Sequence, residues 1–69
     1  MTEQFKIKGE YIELIKLLKA SGLCDTGGMA KLVIEDGLVS VNGKLEFRKR
    51  CKVRKGQKVI FEGHTIKIL

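Results

Sequence analysis

The residues best equipped for chemistry in this chain are cations, and they crowd into one tract. Lys44, Arg48, Lys49, Arg50, Lys52, Arg54, Lys55 and Lys58 make up eight of its fourteen Lys and Arg residues, with Glu46 the one acid among them. A guanidinium is a planar fork of donors that matches phosphate oxygens two at a time, and an ammonium adds a point charge beside it. Such a tract is suited to holding a polyanion rather than to breaking bonds. Mixed signs make an ordinary solvated face, whereas clustering of one sign makes a field, so the binding reading is preferred over the bland one. If the tract is extended, a period of two puts Glu46, Arg48, Arg50, Lys52 and Arg54 on one face and Phe47, Lys49, Cys51, Val53 and Lys55 on the other. Phe47, Cys51 and Val53 would then anchor a rigid ribbon to the core while Arg48 and Arg50 stay in water.

Other reactive residue types are sparse. Cys24 and Cys51 lack C-x-x-C spacing and His64 is the single histidine, so neither a zinc site nor a disulfide framework is suggested. Reduced thiols acting as small hydrophobes are expected, and no cofactor is. His64 reads as a solvated turn residue with no catalytic partner in motif spacing. No carboxylate pair and no nucleophile with an adjacent base appears, which leaves an enzyme as the weakest class.

The scaffold for these cations must be small. Sixty-nine residues allow a single domain, 1–69, with a modest core. A hydrophobic content of 43% with 32% charged residues is too apolar for a disordered basic tail, so the chain should fold. Its net charge of +6 and pI near 9.6 point to nucleic acid or an acidic membrane surface. No stretch reaches membrane-spanning length and the start M-T-E-Q-F-K has no signal-peptide character, so a cytoplasmic location without membrane insertion is expected.

Periodicity then gives the elements. Phe5 and Ile7 alternate with Lys6 and Lys8 as a short strand before Gly9. From Glu10, Tyr11, Leu14, Ile15 and Leu18 fall at helical spacing, with Ile12 and Leu17 widening the stripe until Ser21-Gly22 ends it. Thr26 is placed to cap a second helix over Gly27 to Asp36, whose stripe is Met29, Ala30, Val33 and Ile34. Its charges oppose the dipole, with Lys31 early and Glu35 and Asp36 at the end. Gly27 and Gly28 would let an anion approach the first free amides beside Lys31; equally, they only permit the loop and Lys31 pairs with Glu35. After Gly37 come a strand over Leu38 to Val41, an Asn42-Gly43 hairpin turn, the basic tract, a turn at Lys55-Gly56-Gln57, a strand with Val59 and Phe61, a turn at Gly63-His64 and a last strand with Ile66 and Ile68. The expected class is α+β, two packed helices against a small, mostly antiparallel sheet carrying a basic hairpin.

The run T-G-G-M-A-K-L-V-I-E-D-G-L-V-S-V-N-G-K followed by V-R-K-G-Q-K-V resembles the RNA-binding domain named after the fourth small-subunit ribosomal protein, the S-four domain with its alpha-L motif. With the first helix included, the resemblance spans about Leu14 to Phe61. The combination of G-G-x-A-K, E-x-R-K-R-C-K and F-x-G-H is most similar to small stand-alone bacterial proteins of the YbcJ type. What the resemblance implies is binding of structured RNA, ribosomal or transfer RNA in class, through the second helix and the following hairpin. Lys31, Asn42, Gly43, Lys44, Arg48 and Arg50 stand at the site positions it suggests, and Gly28 joins them from the open start of the second helix. Lys49, Lys52, Arg54 and Lys55 are added on charge alone. Where the wider family often has an arginine just after the helix cap, this chain has Gly27, so that contact does not carry over.

Phe5, Phe47 and Phe61 sit at strand positions expected to face inward and Tyr11 in the helix stripe, which disfavours base stacking and favours backbone and shape recognition. A monomer with RNA, or a ribosomal particle, as partner is expected. The rivals are a DNA-binding module, which the same charges would serve, and a ribosome-associated protein-interaction subunit.

Overall fold

A computed structural model describes residues 2–69. Strand β1 runs from Thr2 to Phe5, slightly earlier than the Phe5–Ile7 alternation suggests. Ile7 is nonetheless buried and its N–H donates to the carbonyl of Leu69. Next comes the largest departure from the sequence reading. Tyr11–Glu13 form a strand, β2, and helix α1 spans only Leu14–Ala20. Aromatic and β-branched residues favour strands, and Ile12 lies opposite Val53 in an antiparallel pairing that turns both inward. Leu14, Leu17 and Leu18 keep the helical spacing and are fully buried.

A seven-residue helix is too short to persist alone, so α1 depends on its surroundings. Glu13 provides no side-chain cap. Instead the N–H groups of Leu14 and Ile15 donate to the carbonyls of Cys51 and Lys49, at 2.9 and 3.0 Å. Backbone from the basic tract thus satisfies donors that would otherwise be orphaned at the start of the helix.

Helix α2 covers Gly27–Glu35, with Thr26 Oγ1 accepting from the N–H of Met29 at 3.1 Å as a cap should. Ala30 and Ile34 are its buried residues; Met29, expected in the core, is largely exposed, as is Leu32. The two helices pack on each other and share one core with the sheet.

Strands β3 (Val39–Val41) and β4 (Lys44–Leu45) form the expected hairpin, in which Asn42 (φ 53°) and Gly43 (φ 83°) are both left-handed, as a two-residue type I′ turn requires. Strand β5 is Lys52–Arg54, β6 is Lys58–Phe61 and β7 is His64–Ile68. The last turn is Glu62-Gly63, one residue before the expected place, so His64 already belongs to β7. Rather than being solvated, His64 is half-buried, and its Nδ1 is shielded without a hydrogen-bond partner.

The main sheet has the order β1-β7-β6-β3-β4, antiparallel except for β1 beside β7, and β2 pairs with β5 in a separate two-stranded sheet. Val39, Val59, Phe61, Ile66 and Ile68 form the sheet's side of the core, with the helices across from them. The α+β expectation of two helices against a mostly antiparallel sheet holds.

Candidate nucleic-acid interface

The basic tract is not one extended ribbon. It leaves the hairpin after Leu45, tightens into a turn in which the N–H of Cys51 donates to the carbonyl of Arg48, and resumes as β5. The two-face alternation therefore fails between Glu46 and Arg50. Val53 anchors β5 with no exposure, and Cys51 packs at the core's edge as expected. Phe47 does not anchor anything inward: it is 55% exposed and lies against Gly37, where a Cβ would come within 3.0 Å of its ring. Only glycine, at φ 75°, both adopts that backbone and clears the ring comfortably.

What replaces the ribbon is a cationic turn seated on the start of α1. Arg48, Arg50 and Lys52, with Cys51 at the base, line an open hollow of about 500 Å³. The carbonyls of Lys49 and Cys51 that bind α1 fix this turn from behind, which leaves the flanking arginines outward. Lys49 itself is half-buried, so it contributes less open charge than its neighbours.

Glu46 shapes the site. Its carboxylate accepts from Arg48 Nε at 3.2 Å and from the backbone N–H of Arg48 at 3.1 Å. The Arg48 side chain first, and then that N–H, hold the Glu46 carboxyl below its ordinary value. The tie is therefore formed at neutral pH and is lost only as pH falls through the lowered value. The Arg48 side chain remains 81% exposed, so Glu46 steers it without hiding it. Among the described residues the other ion pair is Lys16 with Glu13, and none of the remaining tract cations is neutralised. Burial and then the hydrogen bond to Glu46 push the Cys51 thiol up, and burial raises that of Cys24; both are free. Raised thiol pKa values mean weak nucleophiles.

The other expected positions are spread more widely. Lys52 and Arg54 lie on the outer face of the β2–β5 pair, opposite Glu13 and Tyr11. Lys55 is exposed in the turn before Gly56. Lys44 is exposed on β4. Asn42 works chiefly as a structural clamp, its Oδ1 accepting from the N–H of Lys58 at 2.9 Å and its own N–H donating to the carbonyl of Lys58. Gly43 supplies the turn. Lys31 is exposed and makes no ion pair with Glu35, which removes that explanation for it. Nothing stands within 4 Å of a Cβ at Gly27, and at Gly28 only the Thr26 hydroxyl comes near, so the start of α2 is open. The structure does not bring Gly28 and Lys31 into the hollow. The tract meets α2 through Phe47 at Gly37, the end of the helix opposite to Gly28, roughly 13 Å along the axis at 1.5 Å per residue.

The sequence reading missed Tyr11. Placed on β2 instead of a helix stripe, it is 41% exposed, with Lys52 Nζ 5.0 Å and Arg54 Cζ 5.9 Å from its ring centre. The available signal was the strand propensity of Tyr11-Ile12 set against a helical spacing that already works from Leu14.

The profile of the S4 domain matches residues 5–69. The chain belongs to the S4 domain family. Among curated relatives, it is 44% identical over 62 residues to the "Putative RNA-binding protein YbcJ" of Escherichia coli strain K12, covering 90% of this chain and 89% of the relative. A YbcJ from Shigella flexneri matches equally well. The solution structure of E. coli YbcJ, described as revealing an αL motif involved in RNA binding, superposes with a TM-score of 0.68 at 40% identity, over 99% of this chain and 85% of that one. The S4 and YbcJ-type resemblance drawn from the motifs is thus shown.

Proposed function

We propose that this S4-domain protein binds folded RNA, of the ribosomal or transfer RNA class, by its sugar-phosphate backbone. The observation that carries the reading is the hollow lined by Arg48, Arg50 and Lys52, whose backbone is tied to the start of α1. Arg54, Lys49 and Lys55 extend the positive field, and Lys44 with the Asn42-Gly43 turn and the open start of α2 at Gly28 and Lys31 supply flanking contacts. S4 membership and the RNA-binding description of its relatives support RNA over other polyanions. Preference for folded RNA rests on the family and on the backbone ties that hold the cationic turn to α1, because exposed Tyr11 and Phe47 remove the argument from scarce aromatics. The protein is read as a binding module without catalysis, present in the cytoplasm as a monomer or on ribosomal particles. No helix among the described residues is long and apolar enough to cross a membrane.

The rival with the same charge requirement is a DNA-binding module. Filter binding of a folded RNA hairpin in competition with duplex DNA of equal length, repeated across a salt series, separates the two. RNA should bind more tightly at every salt concentration, and affinity should fall by about 0.7 to 0.9 log units per phosphate contact for each tenfold rise in salt. Tighter binding of the DNA would reverse the assignment, and an affinity insensitive to salt would remove the backbone grip.

A further inference from the structure

A second hollow adjoins the grip just described and shares Lys52 with it. Tyr11 forms a wall of this open hollow, about 310 Å³, completed by Phe5, Lys6, Ile7, Lys8 and Ile12. Its lining combines apolar Phe5, Ile7 and Ile12 with two lysines, and the cations of β5 lie over the Tyr11 ring. Lys52 is common to both places, since it lines the arginine hollow and overlies Tyr11. A positive path therefore runs from Arg48 and Arg50 across Lys52 to Tyr11 and on to Lys6 and Lys8.

A tyrosine ring with ammonium and guanidinium groups over it has the chemistry of a nucleotide site: a base takes the ring face as Lys52 and Arg54 move off it onto the adjoining phosphates. Inside a helix both faces of a paired base are covered by its neighbours, so along the gripped segment the occupant is an unpaired base. We infer that the Tyr11 hollow receives an unpaired RNA nucleotide next to the paired segment gripped at Arg48 and Arg50. The RNA this protein prefers is then a helix with an adjoining single-stranded extension, bulge or loop. This inference rests on the RNA-binding reading above and narrows its substrate.

The composition provides a direct probe, because the chain has one tyrosine and no tryptophan, so its intrinsic emission reports Tyr11 alone. Three RNAs are compared on the whole protein, with emission corrected for absorption by the RNA: a blunt hairpin, the same hairpin with a short uridine extension, and a free uridine oligomer. The extended hairpin should quench the emission and bind roughly five- to tenfold more tightly than the blunt one. Tyr11→Leu should abolish that gain, so that the two hairpins bind alike, and Tyr11→Phe should keep it, since stacking uses the ring and not the hydroxyl. Equal affinity for the two hairpins with unchanged emission overturns the inference while leaving the backbone grip intact. Quenching by the free oligomer when neither hairpin binds keeps the Tyr11 site and overturns the grip. If no RNA quenches, the Tyr11 site is excluded whatever the hairpins do.

Discussion

Replacing Arg48 and Arg50 together by glutamate is expected to weaken binding of a folded RNA at least about hundredfold at low salt, the loss of two charge-assisted phosphate contacts compounded by repulsion. The substitution lowers the net charge by four, from +6 to +2. Fold and stability should change little, because both side chains are exposed and the backbone of the turn is held by carbonyls, not by these groups. Glu46 would lose its side-chain partner on Arg48 but keep the backbone N–H of residue 48. Electrophoretic mobility shift with a fluorescent hairpin, beside a thermal melt, reads both quantities. Binding undiminished in a variant that melts like the parent would refute the site, whereas a lowered melting temperature would show that the arginines support the fold.

The second large effect is on stability. Leu14→Ala should cost on the order of 3 kcal/mol, since the side chain is fully buried at the junction of the helices, the small sheet and the basic turn. A domain of this length is stable by roughly 3 to 10 kcal/mol in all, so the variant should melt about 15 °C lower and sit close to its unfolding threshold. Because the Leu14 and Ile15 amides hold the carbonyls of Cys51 and Lys49, the damage should reach the site. Hydrogen exchange should show those two amides opening more readily than the amides of β6 and β7. A urea midpoint unchanged from the parent would mean that this junction does not organise the molecule.

Local chemistry made much of this legible in the sequence. Thr26 before Gly27-Gly28 marks a helix start because its hydroxyl reaches only as far as Met29, and Asn42-Gly43 marks a turn because both residues tolerate left-handed backbone. The errors come from partners far away along the chain. Tyr11–Glu13 extends a helical spacing, and only pairing with Lys52–Arg54, some forty residues on, converts it to a strand. The turn R-K-R-C carries no glycine, proline, asparagine or aspartate to announce it, because what stabilises it is the first amides of α1 donating to its carbonyls. Once that turn is missed, a period of two carries Phe47 to the wrong side and hides an exposed ring. The charge argument survives both errors, since clustering in sequence put Arg48, Arg50 and Lys52 beside one another whatever the backbone did. The start of α2, with Gly28 and Lys31, lies apart from that cluster.

The most direct test is a titration of the ¹⁵N-labelled protein with a folded RNA hairpin, following every backbone amide by NMR. The largest shifts should fall on Arg48 to Arg54 around the cationic hollow, with smaller ones at Lys31 and Lys44. Shifts concentrated instead on the outer face of the main sheet, at Gln4, Ile60 and Lys67, with the turn at Arg48 to Cys51 unmoved, would contradict the hollow as the place where RNA is held.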